Sequence, residues 1–473
     1  MSGNREQFGS KLGFILAAAG SAVGIGNLVG FPVGAAKNGG GAFLVMYAIF
    51  VFFICLPVMI AEMTVGRAGQ KDPLGAYSDL SNKSGLWRIA GWLSIITPFM
   101  IAVFYLVITV WIFGYLVESV MGNLDVLADP STFGTFINSN SLFLYMALVL
   151  LIVYLILQGG VKEGIEKAAK VLMPALFVML VALVIFVLTR DNAIEGVKYY
   201  LIPDFSKINA SVINGALSQA FFSLSLGMGI MITYGSYINK KANLPEASKL
   251  VALTDTAVAF TAGLMILPAI FSFNPEVDPN ELSESSVSMI FSYLPQIFLE
   301  LQSSLGYVGA SFIASVFFLL VFFAAITSLV SIFEVPVASL MCEKEVSRKK
   351  ALVVCGILLV VFSVMCALSF GFVDFFTSFV SYADQNKSFF DLVYDVFYDT
   401  ILPLNGLLIC LFVVYRWKKL AFNEELEQGA EDYKGSWLEK YVTFSLGTFI
   451  PSILFIIFIN TVLQKYFGFA LIG

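Results

Sequence analysis

About eleven stretches of this chain stay apolar over roughly twenty residues or more, the length that crosses the hydrocarbon core of a bilayer. Inside lipid every backbone N–H and C=O must find its partner within the chain, so only helices and closed barrels span it. The runs are continuous rather than alternating, which selects helices. They lie near 12–36, 41–66, 89–121, 141–158, 166–189, 213–238, 247–272, 308–341, 350–369, 388–415 and 440–465. The third and eighth are long enough to tilt. The stretch around 370–380 reads as a short helix carried on a loop. Charged residues make up 13% of the chain, against about a quarter in soluble domains. The fold class is therefore an all-α polytopic membrane protein, one transmembrane domain with no room for a separate soluble one.

Lys and Arg set the orientation. Arg5 and Lys11, the group from Arg67 to Arg88, Lys162 to Lys170, Lys240 and Lys241, Arg348 to Lys350, and Arg416 to Lys434 fall on one side. The loops 122–140 and 273–307 hold neither Lys nor Arg. Cytoplasmic loops carry the positive excess, so the N-terminus is expected in the cytoplasm. An odd helix count then puts the C-terminus outside, in a cytoplasmic membrane. Histidine is absent. Cys55, Cys342, Cys355, Cys366 and Cys410 lack metal-ligand spacing and read as small buried apolar side chains. No nucleophile–base set appears, so an enzyme is not expected, nor is a nucleic-acid partner.

Two of the apolar runs are interrupted alike. One holds Gly20-Ser21-Ala22-Val23-Gly24-Ile25-Gly26-Asn27, the other Phe222-Ser223-Leu224-Ser225-Leu226-Gly227-Met228-Gly229. Broken backbone at membrane depth survives only where it lines a protein-enclosed cavity. Either cluster alone is explained equally well by close helix packing. Grouping helices one to five (12–189) and six to ten (213–415), with an added helix at 440–465, makes each break open its unit. Parity inverts the second unit. Matched breaks of this kind point to a substrate and ion site at a repeat interface.

These segments, with Asn38 to Phe43 (NGGGAF), Phe222 to Tyr237 (FSLSLGMGIMITYGSY) and Ala324 to Ser328 (AAITS), resemble the signature of the neurotransmitter:sodium symporter family. The resemblance runs through all ten core helices and is nearest to the family's bacterial amino-acid transporters. It implies a LeuT-like five-plus-five inverted repeat with broken first and sixth helices. It also implies sodium-coupled symport of an apolar L-amino acid by alternating access.

The residues carry that chemistry. N–H groups at Ile25 and Gly26 open a half-helix and offer a positive dipole end to a carboxylate, and Tyr105 matches a family tyrosine that binds the same group. Carbonyls of Ala22 and Phe222, with the Ser225 hydroxyl, suit an ammonium. Tyr105 as packing and Ser225 bonded to its own helix are the bland alternatives. By resemblance, one sodium falls to Ala22, Asn27, Ser223 and Asp255, and a second to Gly20, Val23, Ala324, Thr327 and Ser328. All are hard oxygen ligands. Asp255 lies in mid-span, where an unpaired charge is costly. Animal members commonly have asparagine there and use chloride, so the built-in carboxylate predicts chloride independence. A protonated aspartic acid in the core is the alternative. Ile101, Tyr105, Phe222, Met228 and Ile332, edged by Ser21 and Ser328, are expected to line the side-chain pocket.

Gating residues follow the same resemblance. Phe222 over Tyr105 is the expected outer lid. Gly30 stands where relatives have an arginine, while Asp395 keeps the acid, so the outer ion pair is missing or rebuilt. Arg5, with Ser236 and Tyr237 near it, is the expected inner gate, its acid falling near Cys342 or Glu343. Gly164 and Pro174 reproduce a spaced pair that permits local unwinding of the fifth helix. Glu62 and Glu334 also lie in apolar runs and are expected either to pair with freed backbone or to gate. A proton-coupled transporter of the same fold and an amino-acid-binding sensor remain the competing readings.

Overall fold

The computed structural model describes residues 6–273, 289–469 and 471. Arg5 and the acids Glu276, Asp278, Glu281 and Glu284 lie outside them. Among the described residues nine helices are long and apolar enough to cross a membrane: Gly41–Gly69, Gly85–Val120, Ser141–Gln158, Val161–Leu188, Leu244–Ser272, Gln302–Lys344, Arg348–Phe370, Phe389–Arg416 and Trp437–Phe467. The first span is a bent pair, Lys11–Ala22 and Gly26–Lys37, turning by 53° at its break. The sixth is split into Ala210–Ser223 and Ile230–Gly235, each too short to cross alone. The order matches the eleven expected runs.

Helix starts are written in the sequence. The Ser10 side chain accepts from the Gly13 N–H and opens the first helix. Asn209 accepts from Val212 and opens the sixth. Each satisfies one of the donors a helix start leaves free. The third and eighth helices form the centre. Their apolar windows are 78% and 83% buried, against 28–33% for the fourth, fifth and eleventh. Those outer three spend their apolar faces on lipid instead.

Several elements were not expected. Gly306 breaks the eighth helix near its start (φ 70°, ψ 166°). The 370–380 stretch holds only a four-residue helix, Asp374–Thr377, and leads into a small hairpin, Val380–Tyr382 with Gln385–Lys387. Short helices Pro73–Leu80, Ala193–Leu201 and Lys419–Glu427 lie between spans. The last is stapled down by the buried Arg67, which donates to Glu425 Oε1 at 2.8 Å, to the Glu425 carbonyl and to the Ala242 carbonyl at 2.8 Å. One guanidinium thus ties the second helix to two later connections.

Candidate substrate and ion site

The two breaks meet through Ser21 and Ser225, and their glycines sit where neighbouring helices leave no room for a side chain. A Cβ on Gly24 would sit 2.6 Å from Ser328 Oγ and 2.8 Å from Tyr105 Oη. Gly227 has φ +74°, and its Cβ would lie 2.4 Å from the Leu402 carbonyl oxygen, so both conformation and space require glycine. Backbone freed by the sixth-helix break is taken up by side chains. Glu62 Oε1 accepts from the Gly227 N–H at 2.7 Å, and Asn405 donates to the Gly227 carbonyl at 2.8 Å. Glu62 therefore pairs with freed backbone, one of the two roles expected for it.

Asp255 anchors the first polar cluster and is fully buried. It accepts from Asn27 Nδ2 at 2.7 Å, Ser223 Oγ at 2.9 Å and Tyr47 Oη at 3.0 Å. These donors come from the first, sixth and second helices, and all are neutral. Asn27 turns its Oδ1 to the Gly24 N–H at 3.1 Å. Ligating a cation through that oxygen calls for the opposite amide orientation. Asn27, Ser223 and Asp255, grouped by the sequence, are thus brought together, and Ala22 lies buried at the first helix's end. Tyr47 was missed. Its signal was a hydroxyl inside an apolar run, where a polar group needs a partner.

The second cluster joins the first helix to the eighth. Ser328 Oγ lies 3.4, 3.1 and 3.3 Å from the carbonyl oxygens of Gly20, Ser21 and Val23. These carbonyls are free because the helix stops at Ala22 and Val23 turns extended (φ −73°, ψ 98°). Thr327 Oγ1 is 3.0 Å from the Ala324 carbonyl. The set is oxygen only and fits a hard alkali cation.

Between the clusters, Ile25 N–H points at Tyr105 Oη, 3.3 Å away. Ser225 donates to the Ser21 carbonyl at 3.0 Å and lies 3.3 Å from the Ser21 hydroxyl. Gly26 faces Phe222, whose ring would be 3.0 Å from an added Cβ. Ile101 lies one turn from Tyr105 and Ile332 one turn from Ser328, hence on shared faces. Both are buried, as is Met228.

The lids differ from expectation. Phe222 meets Tyr398 edge-on, ring centroids 4.6 Å apart, and no Phe222–Tyr105 ring contact occurs among the described residues. The Tyr394–Ile401 stretch winds as a widened π turn and brings Tyr398 to Phe222. Asp395 pairs with Lys465 at 2.8 Å, not with the first helix. On the side expected to face the cytoplasm, Tyr237 donates to Glu334 at 2.7 Å, and Arg348 reaches Glu334 through two 2.8 Å bonds. Arg348 also contacts Glu6 at 3.1 Å. Glu334 thus belongs to the inner-side charge network, while Ser236 donates locally to the Thr233 carbonyl. Arg348, Glu6 and Lys465 were missed, since contacts this distant in sequence leave no local pattern. Gly164 sits in a π turn, Val161–Glu166, and Pro174 inside the helix that follows.

Comparison with known proteins agrees with this architecture. The profile of the Sodium:neurotransmitter symporter family matches residues 5–129 and 134–469. An uncharacterised sodium-dependent transporter of Bacillus subtilis is 34% identical over 463 residues, covering 96% of this chain and 97% of that protein. The sodium- and chloride-dependent taurine transporter of Rattus norvegicus is 28% identical over 62% of this chain and 54% of that protein. The crystal structure of MhsT in complex with L-phenylalanine superposes with a TM-score of 0.81 at 36% identity, covering 96% of this chain and 99% of that one. Broken first and sixth helices, an oxygen-lined centre and near-complete coverage by the family profile lead to one conclusion: this chain is a member of the sodium:neurotransmitter symporter family, whose proteins are secondary transporters rather than enzymes.

Proposed function

We propose that this protein couples sodium entry to uptake of an apolar L-amino acid, without chloride, across the cytoplasmic membrane. The observation that carries the reading is Asp255, a buried carboxylate held only by neutral donors between two broken helices. A charge at the bilayer centre costs about 2.5–3.5 kcal/mol on insertion scales, and a sodium ion offsets that cost. In this reading Asp255, Asn27, Ser223 and the Ala22 carbonyl hold one sodium together with the substrate carboxylate. Gly20, Val23, Ala324, Thr327 and Ser328 hold the second. The fixed negative charge at 255 takes the place of a chloride ion.

The substrate carboxylate meets the Ile25 and Gly26 N–H groups and Tyr105. Its ammonium meets the Ala22 and Phe222 carbonyls and Ser225. Ile101, Phe222, Met228 and Ile332 leave an apolar pocket for the side chain, with Ser21 and Ser328 at its edge. Phenylalanine in the MhsT structure supports this size class. Methionine at 228 repacks readily and favours breadth. A thermal-shift panel of the twenty amino acids, in sodium and in choline, tests the reading. Ligands binding the folded state stabilise it, so apolar L-amino acids should raise Tm in sodium only. Equal shifts in choline, or none in either, would rule it out.

A further inference from the structure

Lys465 stands near the end of the eleventh helix, outside the two five-helix units. Its Nζ lies 2.8 Å from Asp395 Oδ1 and 2.6 Å from Asp399 Oδ2. Asp395 is 5% exposed, and its other oxygen accepts from Tyr382 Oη at 2.7 Å. Thr400 and Tyr466 add a 3.1 Å hydrogen bond between the same two elements. Both aspartates and Tyr398 belong to the π-wound stretch Tyr394–Ile401. Tyr398 in turn carries the ring contact to Phe222, and Phe222 covers Gly26.

Among the described residues the cation paired with Asp395 does not come from the first helix. Gly30 has no side chain, and its neighbouring space is taken by Gln219, whose Oε1 would lie 3.2 Å from an added Cβ. Gln219 Nε2 instead donates to the Gly26 carbonyl at 2.8 Å. Among the described residues Lys465 is the only cation paired with Asp395 or Asp399. Without it, two largely buried carboxylates one turn apart would repel. That repulsion would loosen the π turn that carries Tyr398 against Phe222, even with the Thr400–Tyr466 bond in place.

We propose that Lys465 is a positioning residue for the outer lid: it neutralises Asp395 and Asp399 together and so fixes the Tyr398–Phe222 contact over the substrate site. The eleventh helix thereby supplies the clasp that an arginine at position 30 would have supplied across the site. This rests on the transport reading above, and on this end of the helix facing outward.

The test uses Gly30→Cys as a reporter in right-side-out vesicles, with a membrane-impermeant methanethiosulfonate applied outside. Adding Lys465→Met should raise the labelling rate at least about fivefold, the low end of coupling between linked sites. Lys465→Arg should restore the parent rate, and Asp399→Asn added to Lys465→Met, which removes one of the two repelling carboxylates, should lower the rate again; Lys465→Gln is the second variant should the first not accumulate. The buried Cys410 reports general loosening and should stay unreactive. An unchanged rate, or a rise shared by Cys410, overturns the proposal. So does failure of Lys465→Arg to restore the rate. If no L-amino acid stabilises the parent protein in sodium, the transport reading fails alone, and the labelling still decides what Lys465 does.

Discussion

At the scale of single residues, the account turns on Asp255. Replacing it with asparagine keeps the shape and removes the charge. Uptake by Asp255→Asn in gluconate should fall at least about tenfold, a loss worth 1.4 kcal/mol, and chloride should restore part of it. Uptake indifferent to both changes would mean that the carboxylate has no ionic role. Tyr47→Phe removes one donor from the buried carboxylate. Leaving such a group under-satisfied costs about 1–3 kcal/mol, read as a lower midpoint of thermal unfolding. Asp255 was legible as a charge inside an apolar run, and its grouping with Asn27 and Ser223 came from the family resemblance. Their mutual geometry was not, since Asn27 and Asp255 are 228 positions apart and only the folded chain joins them. Tyr47 escaped because a tyrosine among aliphatics reads equally as packing.

At the scale of elements, the broken helices were the clearest signal and the lids the faintest. Glycine clusters mark a break locally, so 20–27 and 222–229 were readable from composition alone. Gly227→Ala should destabilise the protein by about 1–3 kcal/mol, the usual cost of a side chain in a left-handed conformation, and it also meets the Leu402 carbonyl. Thermal unfolding measures it. The fifth helix needs a more careful choice. A Cβ on Gly164 would lie 2.0 Å from the Ile156 carbonyl oxygen, so alanine there disrupts packing whatever its effect on transport. Pro174→Ala is the cleaner variant, because it restores a backbone donor without adding bulk. Turnover should fall more than substrate affinity. Equal loss of both would count against local unwinding as part of the cycle. The π turn at 394–401 had no such local mark, which is why Tyr398 rather than Tyr105 was found against Phe222.

At the scale of the whole molecule, charges on the two faces tie opposite ends of the bundle. On the side expected to be cytoplasmic, Arg348 joins Glu334 to Glu6. At the other end Lys465 joins the tenth and eleventh helices. The Ser328 cluster links the first helix to the eighth, so a sodium bound there favours whichever state keeps them together. Arg348→Met removes the cation paired with the buried Glu334 and leaves it the neutral Tyr237 donor. Breaking such a pair costs up to about 3–5 kcal/mol when fully buried, less here because Arg348 is partly exposed. Apparent sodium affinity should weaken as the inner side opens, and unchanged affinity would separate this network from gating. The most direct test of sodium coupling is uptake of L-phenylalanine into proteoliposomes bearing an inward sodium gradient, with gluconate as the only anion. Accumulation above equilibrium that vanishes when choline replaces sodium is the predicted result; uptake that persists in choline, or follows an imposed pH gradient instead, would contradict it.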